Sequence, residues 1–292
     1  MMKVDKDLIS KRFSKAVGTY DGAAAVQDAI AEWMVSLLQY HDGRRGTAAD
    51  GRNAVGKVLE IGCGTGLFTR KFLKVYSPER MWLNDICQDY EESLSDILCK
   101  GKGDTVCPES VPGTGTDMGG GFVFLPGDAE SMDLPQGLDM AVSCSAFQWF
   151  HDMPAFLRKA SDALNEGGIL AFSTFGPDNL REISALEGVS LHYLSLAGIK
   201  SMIPEGMEIL CAEECRQVRY FSSAMSVLRH LKDTGVAGIR REFWTRSRLE
   251  GFDRRYRERF SSVGGLPLTY HPMWLVCRSC HFDRPEGVEK SA

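Results

Sequence analysis

The 292-residue chain has no apolar run approaching eighteen residues, which leaves no candidate for a membrane-spanning helix. It opens as MMKVDKDLISKRF, with no apolar stretch ahead of its charges, so an export signal is not expected. It also lacks a basic excess. Thirty-four Lys and Arg stand against 39 Asp and Glu, a net charge of −5, which argues against a globally basic nucleic-acid surface. Fixed-period repeats are missing as well. The nine cysteines are odd in number and scattered, in a chain long enough to bury a core without disulfides, so a reducing cytoplasm is the expected setting. Cys211, Cys215, Cys277, Cys280 and His281 contain thiols and imidazole enough for a zinc site. A single CxxC without a matched pair is a weak signal, however, and no metal is expected.

What the sequence does contain is a change of rhythm. Residues 5–40 read as helical: Val26, Ile30, Trp33, Met34, Leu37 and Leu38 recur at steps of three and four, and Gly18–Gly22 breaks the helix in two. A polar, glycine-punctuated connector runs from Asp42 to Gly56, so residues 1–50 are expected as a helical cap and connector. From 51 to 278, short apolar strands (57–61, 81–84, 122–125, 138–144, 169–175, 216–221, 273–277) alternate with amphipathic helices. That alternation predicts an α/β domain with a mainly parallel sheet covered on both faces. Residues 101–121 carry seven glycines and two prolines with few core formers, and read as a flexible surface insertion. Residues from about 178 to 215 follow the fifth strand and read as a lid over the carboxyl ends of the strands. The tail, 279–292, reads as disordered.

The sharpest local feature is Glu60-Ile61-Gly62-Cys63-Gly64-Thr65-Gly66, entered by a strand and left by a helix. Its GxGxG spacing lacks both the Lys-Ser/Thr of a P-loop and the spacing of the dinucleotide fingerprint. Glycines at every second position allow a tight turn and close ligand approach. Glu60 would repel a pyrophosphate but could receive an ammonium, which favours a cationic, amino-acid-bearing nucleoside over NAD. Asp85, at the end of the second strand, suits the two hydroxyls of a ribose, although capping the next helix would also explain it. Asp128, in Gly127-Asp128-Ala129, could accept from an adenine amino group. Ser143 ends the fourth strand, where cofactor and acceptor would meet.

Together these residues resemble the class I S-adenosylmethionine-dependent methyltransferases. Further motifs narrow the likeness: Phe13-Ser14-Lys15-Ala16-Val17, Tyr20-Asp21 and Gln27; Ser143-Cys144-Ser145-Ala146-Phe147-Gln148-Trp149; Thr174-Phe175-Gly176-Pro177; Leu228–Gly235; and Pro267-Leu268-Thr269-Tyr270-His271. These are similar to the malonyl-acyl-carrier-protein O-methyltransferases, which open one route to biotin, and the resemblance spans about residues 10–278. It implies a Rossmann-like, mainly parallel seven-stranded sheet with an N-terminal helical cap and a lid after the fifth strand. It also implies S-adenosyl-L-methionine as cofactor, bound through Glu60, Gly62, Cys63, Gly64, Gly66, Asp85, Asp128, Ala129 and Ser143. The implied acceptor is malonyl on acyl carrier protein, with neither nucleic acid nor membrane as partner.

A malonyl carboxylate is ionised at neutral pH, so no catalytic base is expected; the site must orient and exclude water. Tyr20, Gln148, Trp149, Arg181, Tyr270 and His271 are the candidate acceptor-binding residues. Each also has a plain structural reading, in packing, a turn or a solvated helix face. Residues 240–259 hold eight arginines (Arg240, Arg241, Arg246, Arg248, Arg254, Arg255, Arg257 and Arg259) against four acids. That stretch could dock an acidic carrier, form a solvated helix face or mark a nucleic-acid footprint. A methyltransferase for another small carboxylate or carbon acceptor, or a non-enzymatic S-adenosylmethionine- or RNA-binding module, stays open at this level.

Overall fold

The computed structural model describes residues 5–43, 46–100, 121–188, 191–235 and 245–280. Nearly all of the expected insertion (101–120), most of the expected tail (281–292), and Arg240 and Arg241 lie outside the described residues. The chain enters through α1 (Lys6–Ala16), the single-turn α2 (Tyr20–Ala23) and α3 (Ala25–His41). It continues as β1 (Asn53–Ile61), α4 (Leu67–Val75), β2 (Tyr76–Asp85), α5 (Tyr90–Ser93), α6 (Ser95–Lys100), β3 (Gly121–Pro126) and β4 (Leu138–Cys144). A 3₁₀ turn (Phe147–Trp149) leads to α7 (Met153–Ala163), β5 (Leu164–Phe175), α8 (Arg181–Glu187), α9 (Leu196–Lys200) and β6 (Met207–Glu214). The last elements are β7 (Gln217–Phe221), α10 (Ala224–Asp233), α11 (Arg246–Phe260), β8 (Leu266–Tyr270) and β9 (Pro272–Ser279).

Seven strands form one sheet in the order β3-β2-β1-β4-β5-β9-β6. From β3 to β5 every pair is parallel, and β9 runs antiparallel to both of its neighbours. This is the expected mainly parallel sheet. Its inner strands are buried at consecutive positions, Met140–Ser143 in β4 and 168–175 in β5, which requires cover on both faces. Short helices begin where side chains supply caps: Asp152 accepts from the Ala155 N–H at 2.9 Å, and Ser223 forms a capping box with Ser226.

Three placements differ from the sequence reading. The strand expected near 216–221 forms, but outside the main sheet; as β7 it pairs with β8 in a separate two-stranded ribbon. The outer strand of the sheet is instead β6, inside the stretch read as a lid, so the excursion after β5 holds α8 and α9 only. As an edge strand β6 is half-buried along most of its length, and MEILCAEE shows no clean alternation. Trp33, expected on the apolar face of α3, is 48% exposed and donates its indole N–H to Glu213 at 2.9 Å. The buried stripe of α3 is Val26, Ile30, Met34, Leu37 and Leu38. It packs against α4 and strands β4, β5 and β9, and the Trp274 indole donates to the Ile30 carbonyl at 3.1 Å. Thus α3 covers the sheet.

The Pro267–His271 motif is held by a buried carboxylate. Glu182 of α8 accepts from the Thr269 N–H at 2.9 Å and from its hydroxyl at 2.5 Å. Removing that acceptor strands two buried donors at about 1–3 kcal/mol each. Glu182→Ala should therefore lower the unfolding free energy by about 3 kcal/mol in urea denaturation. An unchanged midpoint would show that α8 does not anchor β8.

Candidate functional site

The strand order reverses between β1 and β4, and a cavity opens beyond the carboxyl ends of those strands, where an open α/β sheet binds ligands. Its cavity volume is about 110 Å³. Ile61, Gly62 and Gly64 line it from β1, Asn84 and Asp85 from β2, and Asp128 and Ala129 from the turn after β3. Cys144 and Ser145 close the β4 side. Across the mouth lie Lys6, Ile9 and Phe13 of α1 and Tyr20 of α2.

The glycine turn is held by the adjacent strand. Gly62 and Cys63 donate to the Asn84 carbonyl at 2.8 and 2.9 Å, and Gly64 N–H donates to Asp85 Oδ2 at 2.9 Å. Gly64 has φ +52°, and a side chain there would meet no protein atom within 4 Å, so it would project into open space at the cavity wall. Asp85 also accepts from the Cys87 N–H through Oδ1 at 2.8 Å. Each Asp85 oxygen keeps an acceptor position, which suits a vicinal diol. Burial raises the Asp85 carboxyl to about 6, against the backbone hydrogen bonds that favour its ionised form.

Tyr20 reaches the cavity because its neighbour Asp21 accepts from the Thr65 hydroxyl at 2.6 Å, tying α2 to the glycine turn. Burial, with Cys144, Asp21 and Asp85 nearby, keeps the Tyr20 phenol protonated far above its ordinary range. It is a hydrogen-bond donor at any working pH. Trp149 lines the same side and meets Phe13 edge-on at 5.8 Å.

Other expected residues stand behind or away from the cavity lining. Glu60 is buried and accepts from the Thr69 hydroxyl at 2.7 Å. Cys63 is buried, Gly66 starts α4, and Ser143 donates to the Ile61 carbonyl at 2.9 Å. Gln148 donates to the Ser145 carbonyl at 2.5 Å, and Arg181 lies 56% exposed beside Glu182. Tyr270 is buried with its hydroxyl 2.7 Å from His230 Nε2. The buried His271 ring accepts from the Asp178 N–H at 3.2 Å and faces Glu214 at 3.2 Å, bracing the turn after β5. Lys6 and Ile9 were missed, since a Lys near the start of a polar helix carries no local signal of a cavity.

The arginines of α11 largely face acids of the chain itself. Arg248 and Arg255 meet Glu187 at 2.9 and 3.1 Å, Arg257 meets Asp253 at 2.6 Å, and Arg259 donates to the Ala185 carbonyl at 3.1 Å. Arg246 pairs with Glu250 at 3.0 Å but is 94% exposed, and Arg254 is exposed beside a shallow groove between α10 and α11. Among the described residues, Arg246 and Arg254 are the arginines of this stretch that make no bond to another element.

A family model described as a methyltransferase domain matches residues 37–235. The malonyl-(acyl-carrier protein) O-methyltransferase of Bacteroides helcogenes is 37% identical over 94% of this chain and 99% of its own length. Its counterpart from Chlorobium luteolum is 36% identical, with 97% of each chain covered. That of Bacteroides fragilis is 39% identical over 94% of this chain, which spans about half (50%) of that relative's length. Among solved structures, a methyltransferase candidate of Bacillus halodurans superposes with a TM-score of 0.56 at 13% identity, covering 85% of this chain and 99% of its own. The YcgJ protein of Bacillus subtilis gives 0.53 at 15% identity, with the same coverage of both chains. These two support the fold alone.

Burial raises Glu60 to about 8, with a smaller push from Asp85 and opposition from Thr69 and Arg70. The ionised form is disfavoured on folding, so stability present below pH about 4.5 is lost as pH rises toward 8. Glu60→Gln keeps an acceptor for Thr69 without the charge. Its melting temperature should match the parent at pH 5 and exceed it at pH 9; parallel curves across that range would exclude a raised Glu60.

Proposed function

The chain belongs to the malonyl-(acyl-carrier protein) O-methyltransferase family, and on that footing we propose that it methylates the free carboxylate of malonyl carried on acyl carrier protein. The methyl donor is S-adenosyl-L-methionine, and the products are the malonyl methyl ester and S-adenosyl-L-homocysteine, an early step of biotin synthesis in the cytoplasm. The observation that carries this reading is 37% identity running through 94% of this chain and 99% of the Bacteroides helcogenes relative.

The cavity chemistry fits such a donor. Gly64 leaves room for its amino-acid arm, the spare acceptor positions of Asp85 suit the ribose hydroxyls, and Asp128 with Ala129 takes the adenine. When bound, the cofactor supplies an electrophilic methyl on a cationic sulfonium. The acceptor carboxylate is already ionised, its reference pKa being about 4, so the protein need not remove a proton. Tyr20, held protonated, donates to the non-attacking oxygen, and Trp149 with Phe13 on the same side excludes water. Tyr270 and Gln148 stand behind this wall. Arg246 and Arg254 offer an acidic carrier a cationic edge on α11.

Incubated with methyl-labelled S-adenosyl-L-methionine, the protein should label malonyl carrier, leave acetyl carrier unlabelled and act poorly on free malonate. Gly64→Val should abolish S-adenosyl-L-homocysteine binding in calorimetry while the fold persists. A folded, cofactor-binding protein that ignores malonyl carrier and labels another acceptor would overturn the acceptor assignment.

The docking edge is tested separately, with charge reversals that spare the ion pairs to Glu187. Arg246→Glu with Arg254→Glu should raise KM for the carrier about tenfold at low salt and leave cofactor affinity unchanged. An unchanged KM would move docking off α11.

A further inference from the structure

The nucleoside end of the cavity contains a cation that the reading so far leaves unused. Lys6, on α1, lies 122 positions before Asp128, yet its Nζ is 2.7 Å from Asp128 Oδ1 and 2.6 Å from Oδ2. The same ammonium bonds Glu130 Oε2, and its side chain is only 13% exposed. It also sits 5.3 Å over the ring of Phe150, another cavity residue. Glu130 is itself fixed by the Asp152 N–H at 2.7 Å and the His151 N–H at 2.9 Å.

Counting lone pairs defines what remains. Asp128 Oδ1 accepts from Lys6 and from the Glu130 N–H at 3.0 Å, which fills it. Oδ2 accepts from Lys6 alone among the described residues, so one acceptor position stays open, on a carboxylate that lines the cavity. The Lys6 protons are engaged by the two carboxylates, so Lys6 acts on a ligand through Asp128. A free carboxylate on a turn would rotate among several orientations and lose that freedom on binding; the bidentate grip removes the cost beforehand.

We propose that Lys6 is a positioning residue of the nucleoside site, holding Asp128 so that its one open acceptor position meets an exocyclic amino group, while it fastens α1 across the cavity. This rests on the S-adenosyl-L-methionine reading above. It assigns to the N-terminal helix a part in base selection: adenine presents an amino donor at that edge, whereas hypoxanthine presents a carbonyl that the fixed carboxylate repels.

The test compares S-adenosyl-L-homocysteine with S-inosyl-L-homocysteine by calorimetry on the full-length protein. Lys6→Met keeps the stem over Phe150 and removes the ammonium. It should weaken the adenosyl ligand about tenfold more than the inosyl ligand, the size expected for one misplaced hydrogen bond. Lys6→Arg, which can still bridge both carboxylates, should restore most of the discrimination. Equal weakening of both ligands would leave Lys6 as a strap for α1 only and overturn the positioning role, as would no change in either. If Lys6→Met does not fold, Lys6→Gln carries the same comparison. A wild-type protein that binds neither nucleoside would instead remove the cofactor reading, and this inference with it.

Discussion

Everything at the ligand-binding edge depends on how the end of β1 is fastened to the end of β2. Two N–H groups of the glycine turn converge on the Asn84 carbonyl, and a third meets the Asp85 carboxylate. The turn cannot move without breaking three hydrogen bonds to its neighbour. Asn84 extends the tie one strand further by donating to the Leu125 and Gly127 carbonyls at 2.9 and 3.0 Å. Three strand ends and the turn carrying Asp128 are thereby set by one network. The preorganisation that orientation chemistry requires is built into the sheet edge.

The same arrangement concentrates acids. Glu60, Asp85 and Asp128 lie around the glycine turn, and among the described residues only Asp128 of the three has a cation bonded directly to it. Burial raises Glu60 and Asp85 in response. A cationic, hydroxyl-rich ligand relieves that electrostatic cost, and a pyrophosphate would add to it. The low net charge of the chain conceals this local imbalance.

Motifs that look chemical in the sequence prove to brace the cavity from outside. In the Leu228–Gly235 motif, Thr234 closes α10 through the His230 carbonyl, and the Asp233 carbonyl accepts from Thr19 at 3.4 Å. Gly235, at φ +71°, leaves space that the Phe13 ring fills; a Cβ there would stand 2.6 Å from it. Phe13 in turn packs on Trp149. Thr269 and His271 likewise connect β8 to α8 and to the turn after β5. The motif on α10 thus keeps α1 and α2 over the cavity.

The alternation of strand and helix, the GxGxG turn and the acid at the end of β2 were legible in the sequence, because each is a local pattern whose period or spacing has a direct backbone cause. So was the buried stripe of α3. The half-exposed edge strand β6 was not, since without alternation nothing local separates it from a loop. The role of α1 was not legible either: Lys6 reaches Asp128 and Glu130 across 122 and 124 positions, and no spacing rule spans that distance. The arginines of α11 read as a free cationic face until the fold brought Glu187 against two of them. Local covalent order determined which elements form and where the glycine turn lies. Which carboxylates meet a cation, and which face the cavity, was decided only when distant segments packed together, because Coulomb partners and desolvation are properties of neighbours in space.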